Sequence, residues 1–337
     1  MPVRGQTVPV SVAPMMDVTD RHTRWLYRRI SRRVLLYTEM VTAHALHHGD
    51  VARLLSFDEV EHPVALQLGG DDAALMAAAA RMSVDYGYDE INLNIGCPSP
   101  RVQKGNFGAC LMTSPEVVGE AVSAMRAAVS VPVTVKCRIG VDDQDRYEDL
   151  LNFARIVCEA GADRLTVHAR KAWLQGLSPK QNRNVPPLRY PDVYRLRPEL
   201  GEVPLEINGG VLTLEEVEAH LEHVDAVMIG RGVWNNPWLL AQVDQRFLGS
   251  EAPMPDRRAV ADDLIVYAES QIAQGHKPQH VLRHAGPLFR GLPGARAWKQ
   301  AIANVGKGGT GLLVSALEKI DAAAVRQAAW EMRAVAG

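Results

Sequence analysis

Residues 89–98, DEINLNIGCP, predict a buried strand that runs into a turn and leaves one thiol at its end. Apolar side chains alternate with amides along the strand, so one face enters a core and the other points to a polar interior. Gly96 permits close approach of the backbone, and Pro98 ends the strand because it has no N–H to donate. Cys97 therefore lies at the carboxyl end of a strand.

Cys97 has two interpretations. Most single cysteines are small buried hydrophobic side chains. A functional role is favoured by the following loop, residues 99–112 (SPRVQKGNFGACLM), which is long, basic and contains glycine, and so is suited to binding a ligand. None of the chain's cysteines shows C-x-x-C pairing or zinc-type spacing, so we expect reduced thiols and no metal site. They are Cys97, Cys110, Cys137 and Cys158.

The composition indicates a soluble globular protein. The chain has 337 residues, 47% of them hydrophobic, which is enough for one large domain and a smaller one. The sequence contains no apolar run long enough to span a membrane and no signal peptide, so we expect a cytoplasmic protein.

Eight predicted strands, mostly alternating with helices, occupy the first 240 residues or so. Strands of this apolar character joined by helical crossovers are parallel and covered on their outer face, which predicts a (β/α)8 TIM barrel. A doubly wound open sheet ranks below it because no G-x-G-x-x-G follows the first strand. The strands are predicted at 8–16, breaking at Pro14, and at 34–43, 63–70, 89–98, 131–139, 164–170, 203–208 and 226–230; the helices at 21–31, 72–86, 115–129, 147–160 and 214–223.

A barrel gathers the carboxyl ends of its strands on one face. The side chains expected to share a pocket there are Pro14, Met15, Met16, Glu39, Gln67, Asn94, Cys97, Lys136, Arg138, His168, Arg170, Asn208, Gly209, Gly210, Gly230 and Arg231.

Within this set, the glycine turns at 208–211 and 230–232 expose backbone N–H groups beside a guanidinium, which favours a phosphate site over a simple turn. Lys136 is costly to bury alone, and either a cofactor ring atom or an interior carboxylate such as Glu39 would serve as its partner. Gln67 offers the donor and acceptor that a uracil-like or flavin edge requires. His168 is either a satisfied core histidine or a ligand contact.

Several motifs together give the chain a resemblance to the tRNA-dihydrouridine synthases over nearly its whole length. They are APMMDVTDR at 13–21, LQLGG at 66–70, EINLNIGCP at 90–98, KCR at 136–138, HAR at 168–170 and NGG at 208–210. Residues 101–112 (RVQKGNFGACLM) and 177–188 (LSPKQNRNVPPL) are most similar to the DusA subfamily, which acts at positions 20 and 20a.

The resemblance implies a flavoenzyme that holds FMN, is reduced by NADPH, and reduces the C5–C6 double bond of uridine in the tRNA D-loop. By the same resemblance, Cys97 is the general acid that protonates C5, and Asn94 contacts the substrate nucleotide. The flavin ring would contact Pro14, Met15, Met16, Gln67, Lys136 and His168. The FMN phosphate would be held by Asn208, Gly209, Gly210, Gly230 and Arg231.

The carboxyl-terminal part is predicted to be a separate helical domain. We expect a barrel over residues 1–249, a linker at 250–256 and a helical bundle over 257–337, with helices at 257–274, 278–289, 295–304 and 313–334. The bundle either caps the barrel or, by the resemblance, binds tRNA through Arg296 and Lys299, together with Lys180 and Arg183 of the barrel. No obligatory protein partner is evident.

Charge supports a polyanionic partner. Residues 257–337 carry 11 Lys and Arg against 6 Asp and Glu, although the whole chain is at −2. The loops after the fourth and sixth strands contain basic residues and no acid. Gln300 and the glycine-rich stretch at 307–312 depart from the family pattern.

Two other functions compete. One is a flavin barrel acting on a free pyrimidine, which has no need for a basic helical tail. The other is a flavin-free tRNA-binding barrel in which Cys97 is structural.

Overall fold

The computed structural model describes residues 8–336, with side chains to residue 324. The chain forms two compact units. The first comprises 8–19 and Arg33–Gly230, and the second comprises Asp20–Arg32 and 231–336. The predicted boundary at residue 249 and the linker at 250–256 thus fall inside the second unit, which also includes an early helix.

The first unit is a closed barrel of eight parallel strands in sequence order, which confirms the predicted fold class. Each strand lies within its predicted range. The strands are β1 (Val10–Val12), β2 (Leu35–Thr42), β3 (Val64–Gly69), β4 (Glu90–Ile95), β5 (Val133–Arg138), β6 (Arg164–His168), β7 (Leu205–Asn208) and β8 (Ala226–Ile229).

The α-helices are named in chain order. They are α1 (Arg21–Ile30), α2 (Ala43–His48), α3 (Val51–Leu55), α4 (Ala73–Asp85), α5 (Pro100–Lys104), α6 (Pro115–Ala128), α7 (Tyr147–Glu159), α8 (Tyr190–Leu196), α9 (Leu214–Leu221), α10 (Arg231–Asn235), α11 (Val243–Phe247), α12 (Arg257–Ala273), α13 (Pro278–Leu282), α14 (Ala295–Gly308) and α15 (Gly311–Ala336). Among residues 8–336, no helix combines the length and the apolar character needed to cross a membrane.

Alternation along the strands separates an apolar shell from a polar barrel interior. On β4, Ile91, Leu93 and Ile95 are fully buried. The intervening side chains of Glu90 and Asn92 are also fully buried, but they make hydrogen bonds to side chains of other strands. Such a polar interior differs from the branched apolar layers usual in this fold. The interior therefore depends on complete hydrogen-bond pairing.

Polar side chains cap the starts of two crossover helices. Asp72 accepts a hydrogen bond from the Leu75 backbone N–H at the start of α4. Thr213 and Glu216 form a reciprocal capping box that begins α9. These caps fix where each crossover helix starts after its strand.

The second unit is helical, and one predicted helix in it was wrong in extent. Instead of one helix over 278–289, α13 is followed by a separate 3-10 turn at Gly286–Phe289. Pro287 contributes to the break because it supplies no N–H, so an α-helix over 278–289 would lose the bond from residue 287 to the Arg283 carbonyl. Fully buried Trp298 on α14 anchors this turn by donating its indole N–H to the Ala285 oxygen at 2.9 Å.

Candidate functional site

The turn at Gly96 and Cys97, called here the Cys97 turn, is held by the side-chain amide of Asn94. Asn94 Oδ1 accepts hydrogen bonds from the backbone N–H groups of Gly96 and Cys97, both at 3.0 Å. The Cys97 carbonyl in turn accepts from Ala109 N–H at 3.0 Å. These bonds fix the backbone on both sides of the thiol, and Cys97 is partly buried.

Gly108 is required where the following loop returns to Cys97. Its φ is +78°, and a Cβ there would lie 2.6 Å from the Cys97 oxygen and 2.4 Å from a Val102 methyl. A side chain would therefore push the loop away from the turn. Gln103 adds a second tie by donating from Nε2 to the oxygens of Pro98 and Leu174, each at 2.9 Å.

Gln67 lies inside the barrel between two asparagines. Its Nε2 donates to Asn92 Oδ1 at 2.8 Å, and its Oε1 accepts from Asn94 Nδ2 at 2.7 Å. Gln67 is 1% exposed. The structure therefore gives both Gln67 and Asn94 structural partners, and their predicted contacts with flavin and nucleotide stay predictions.

Lys136 is partly buried and paired with an amide. Its Nζ donates to Asn208 Oδ1 at 2.9 Å, and Asn208 Nδ2 donates to the Met228 oxygen at 2.7 Å. Burial, and to a lesser extent the charge of nearby Arg138, lower the pKa of Lys136 to about 8. The ammonium is thus held where an electron-rich ligand atom would stabilise its charge.

Arg138 links the Cys97 turn to the loop after β6. Its Nε donates to the Gly96 oxygen at 2.8 Å, and its Nη1 donates to the oxygens of Lys171 and Asn182 at 3.0 and 3.1 Å. Burial lowers the pKa of Arg138 to about 10. Arg138 was predicted as part of the pocket, and the structure adds these three carbonyl partners.

The glycine turn after β7 packs closely against the loop after β6. Gly209 and Gly210 have φ of +115° and +83°. A Cβ on Gly209 would lie 3.2 Å from His168 Nε2, and one on Gly210 would lie 2.5 Å from the Tyr190 hydroxyl oxygen. That hydroxyl donates to the Gly209 oxygen at 2.8 Å. His168 and Asn208 are register partners across β6 and β7, so these predicted residues are adjacent.

The residues after β1 and β8 complete the predicted set. Met15 packs against the core, and its backbone N–H donates to Thr19 Oγ1 at 3.0 Å. Met16 is 54% exposed, and half-exposed Pro14 precedes both. Gly230 directly follows β8, and Arg231 is the first residue of α10.

A buried ion cluster below the site was not predicted. Arg164 donates to both oxygens of Glu90 at 2.6 and 2.8 Å, and its Nε lies 3.6 Å from Glu206 Oε2. Burial alone would lower the pKa of Arg164, but Glu90, Tyr37 and Glu206 raise it well above the usual range. The sequence could have revealed this cluster through the two-residue period of the strands. That period places Glu90, Arg164 and Glu206 on the same strand faces as the site residues.

The other thiols are less suited to acid chemistry. Burial raises the pKa of Cys137 and of Cys158 to about 12, and it also raises that of Cys110. In the part of the chain that the structure describes, no three His, Cys, Asp or Glu side chains come together as they would around a metal ion.

The basic loop after β6 is partly neutralised. Lys171 and Arg189 both pair with Asp145, at 3.1 and 2.9 Å. Lys180 and Arg183 are exposed. Among the cations of this loop, the exposed ones are therefore the two residues predicted to bind tRNA.

The second unit contains a cleft of about 430 Å³. Its walls include Trp234, His284, Arg283 and Lys299. Trp234 donates from Nε1 to His284 Nδ1 at 3.0 Å, which orients both rings. Lys299 and the predicted tRNA contact Arg296 are both exposed on α14.

A closed parallel barrel that gathers a partly buried thiol, a partly buried amine and glycine turns at the carboxyl ends of its strands is the architecture of a (β/α)8 enzyme. The dihydrouridine synthase family model matches residues 11–327, and the chain belongs to this family.

Curated relatives agree with this assignment. The chain is 52% identical over 313 residues to "tRNA-dihydrouridine(20/20a) synthase" of Synechocystis sp., covering 92% of this chain and 94% of the relative. It is 51% identical to the protein of the same name in Vibrio parahaemolyticus, covering 92% and 96%. The Escherichia coli K12 protein of that name is 51% identical, with 90% and 88% covered.

Among solved structures, the chain is similar to a 2-naphthoyl-CoA reductase complex with a TM-score of 0.53 and 11% identity. The match covers 73% of this chain and about half, 51%, of that chain. This likeness supports the fold alone.

Proposed function

We propose that this protein reduces the C5–C6 double bond of uridines 20 and 20a in the tRNA D-loop, using FMN reduced by NADPH, with Cys97 as the general acid. The observation that carries the proposal is the end-to-end similarity to tRNA-dihydrouridine(20/20a) synthases, combined with a thiol fixed at the β4 end. As a tRNA-modifying enzyme, it would act in the cytoplasm.

The barrel residues fit an FMN. Lys136 holds a positive charge inside the barrel beside Asn208, as the electron-rich edge of a flavin ring requires. Each amide atom of Gln67 has capacity for one further hydrogen bond beyond those to Asn92 and Asn94. Pro14, Met15, Met16 and His168 would complete the ring contacts.

For the phosphate, Gly209 and Gly210 present a left-handed backbone turn after Asn208, where successive N–H groups favour an anion. Gly230 and Arg231 are assigned to the same phosphate by the resemblance.

Cys97 is suited to supply the proton. When bound, FMN supplies the hydride that is delivered to C6 of the uracil ring. Negative charge then builds at C5 and O4, and a positioned acid relieves it. Cys97 donates its thiol proton to C5 and recovers one from solvent, for which its incomplete burial is suitable. Overall, uridine, NADPH and one proton give dihydrouridine and NADP⁺.

Binding of tRNA would use basic side chains of both units. Lys180 and Arg183 in the barrel and Arg296 and Lys299 in the helical unit are exposed, as phosphate contacts require. Asn94 would contact the target nucleotide once the uridine has left the base stack of the folded tRNA.

The proposal is tested by incubating the FMN-loaded protein with NADPH and unmodified tRNA, followed by mapping of dihydrouridine by mass spectrometry. We expect dihydrouridine at positions 20 and 20a. A flavin-loaded protein that oxidises NADPH, leaves tRNA unmodified and reduces a free pyrimidine would replace this proposal with a small-molecule reductase.

A further inference from the structure

A single chain of hydrogen bonds runs through the barrel from the Cys97 turn to a buried carboxylate. It passes from the backbone N–H groups of Gly96 and Cys97 through four side chains to Glu90. These side chains are Asn94, Gln67, Asn92 and Thr134. Its members come from three adjacent strands, β3, β4 and β5.

The direction of this hydrogen-bond chain is determined at its Cys97 end. Backbone N–H groups only donate, so Asn94 presents its oxygen to the turn and its Nδ2 to Gln67. Gln67 must then donate from Nε2 to Asn92 Oδ1. Each amide orientation follows from the one above it.

The Glu90 end of the hydrogen-bond chain imposes the same direction independently. Glu90 is paired with Arg164 at 2.6 Å, and a carboxylate only accepts. Thr134 therefore donates its hydroxyl to Glu90 at 2.6 Å and accepts from Asn92 Nδ2 at 2.9 Å. Because both ends require one polarity, no amide in the chain can flip without losing bonds.

All of the middle members are removed from water. Asn92 and Thr134 are fully buried, and Gln67 is 1% exposed. A broken bond there leaves a buried polar group unsatisfied, and hydrogen bonds aligned in one direction strengthen one another. Loss of one link is therefore transmitted along the chain.

We propose that Thr134 and Asn92 are positioning residues for Cys97, which act through Gln67 and Asn94 to hold the Cys97 turn. Neither touches the thiol. Their catalytic consequence rests on the proposed function, whereas their effect on the turn does not.

The barrel supplies a matched control on the neighbouring strand. Thr166 is also fully buried and donates its hydroxyl to a carboxylate, Glu206 Oε2, at 2.5 Å. It is not a member of the hydrogen-bond chain that ends at Cys97, and Glu206 approaches Arg164, the partner of Glu90, only at 3.6 Å. Thr166→Val and Thr134→Val thus remove the same group from similar surroundings.

The test compares Thr134→Val, Thr134→Ser and Thr166→Val in the full-length, FMN-loaded protein. Amide hydrogen exchange at Gly96 and Cys97 reports on the turn whether or not the protein acts on tRNA. We expect Thr134→Val to accelerate this exchange and lower kcat for dihydrouridine by roughly 2- to 30-fold, with KM for tRNA unchanged. Thr134→Ser restores both values, and Thr166→Val leaves them at the wild-type level.

Equal acceleration in Thr134→Val and Thr166→Val would reduce Thr134 to a stabilising residue and overturn the proposal. If Thr134→Val does not fold, Asn92→Leu takes its place, because it breaks the hydrogen-bond chain at another link. We then expect Asn92→Leu to show the faster exchange and the lower kcat. In the wild-type protein the Cys97 amide must itself be protected, and exchange as fast as that of exposed loop amides would also overturn the proposal. Faster exchange with no dihydrouridine from any variant or from wild type would count against the proposed function alone.

Discussion

The ammonium group of Lys136 on β5 donates a 2.9 Å hydrogen bond to the side-chain oxygen of Asn208 on β7, across the intervening strand β6. An amide satisfies the hydrogen bond but does not neutralise the charge. Burial therefore lowers the pKa of Lys136 to about 8. The flavin-free protein carries an unfavourable charge that a bound ligand would relieve.

Lys136→Met should stabilise the flavin-free protein and weaken FMN retention. At pH 7 the Lys136 charge is present in both the folded and unfolded states, so its removal should raise the free energy of unfolding by about 1–3 kcal/mol. Between pH 8 and 10.5 the folded protein loses this proton before the unfolded chain does, so wild type becomes more stable and the gain shrinks. Urea unfolding at pH 7 and 9.5, with FMN content, measures both effects. An equal gain at the two pH values would contradict this account.

Cys97→Ala should lower dihydrouridine formation by about 10²- to 10⁴-fold, because it removes the proton donor. FMN content and NADPH oxidation should be largely retained, since the Asn94 bonds to the turn involve only the backbone. Cys158→Ala on α7 is the control and should retain full activity. Loss of FMN in Cys97→Ala would instead make this thiol structural.

Arg183→Ala combined with Arg296→Ala should reduce both tRNA affinity and its salt dependence. Each lost phosphate contact should lower the slope of log affinity against log salt by about 0.7–0.9. Filter binding from 50 to 200 mM salt measures this slope. Arg81→Ala, an exposed arginine on α4, should leave it unchanged. A weaker affinity with an unaltered slope would exclude both residues from phosphate contact.

Gly210→Ala should lower the free energy of unfolding by more than the strain of a positive φ alone would. The new Cβ would meet the Tyr190 hydroxyl at 2.5 Å and a Leu188 methyl at 2.6 Å, which adds about 1–3 kcal/mol of overpacking. Gly176→Ala is the matched control, because its φ of +79° is similar and nothing lies within 4 Å. Thermal unfolding of the two variants separates steric clash from backbone strain. Equal losses of stability in the two variants would show that Tyr190 and Leu188 move aside without an energetic cost.

Arg164→Met should cost about 3–5 kcal/mol, because it leaves Glu90 and Glu206 buried without their cation. Arg155→Ala removes an exposed pair with Glu199 and should cost at most about 1 kcal/mol. Chemical denaturation at pH 7 measures both, and a loss no larger for Arg164→Met than for Arg155→Ala would contradict a stabilising role for the buried cation.

The strands were predictable because their signal is local. Short apolar runs, and the alternation along residues 89–98, depend on neighbouring residues, and all eight strands lie within the ranges predicted from them. Closure of the barrel then brought His168 beside Asn208 and Gly209, as the positions of the strand ends had implied. The helix predicted over 278–289 was wrong because the sequence pattern did not weigh Pro287 against its helical neighbours.

By itself, the sequence determined which residues face the barrel interior, which lie at the carboxyl ends of the strands, and which family the motifs resemble. The tertiary structure decided the partners of those residues: Asn208 for Lys136, Glu90 for Arg164, and Asn92 and Asn94 for Gln67. These partners are 25 to 74 residues apart. Local pattern fixes the direction of a side chain, but only the register of the closed barrel fixes the group that it meets.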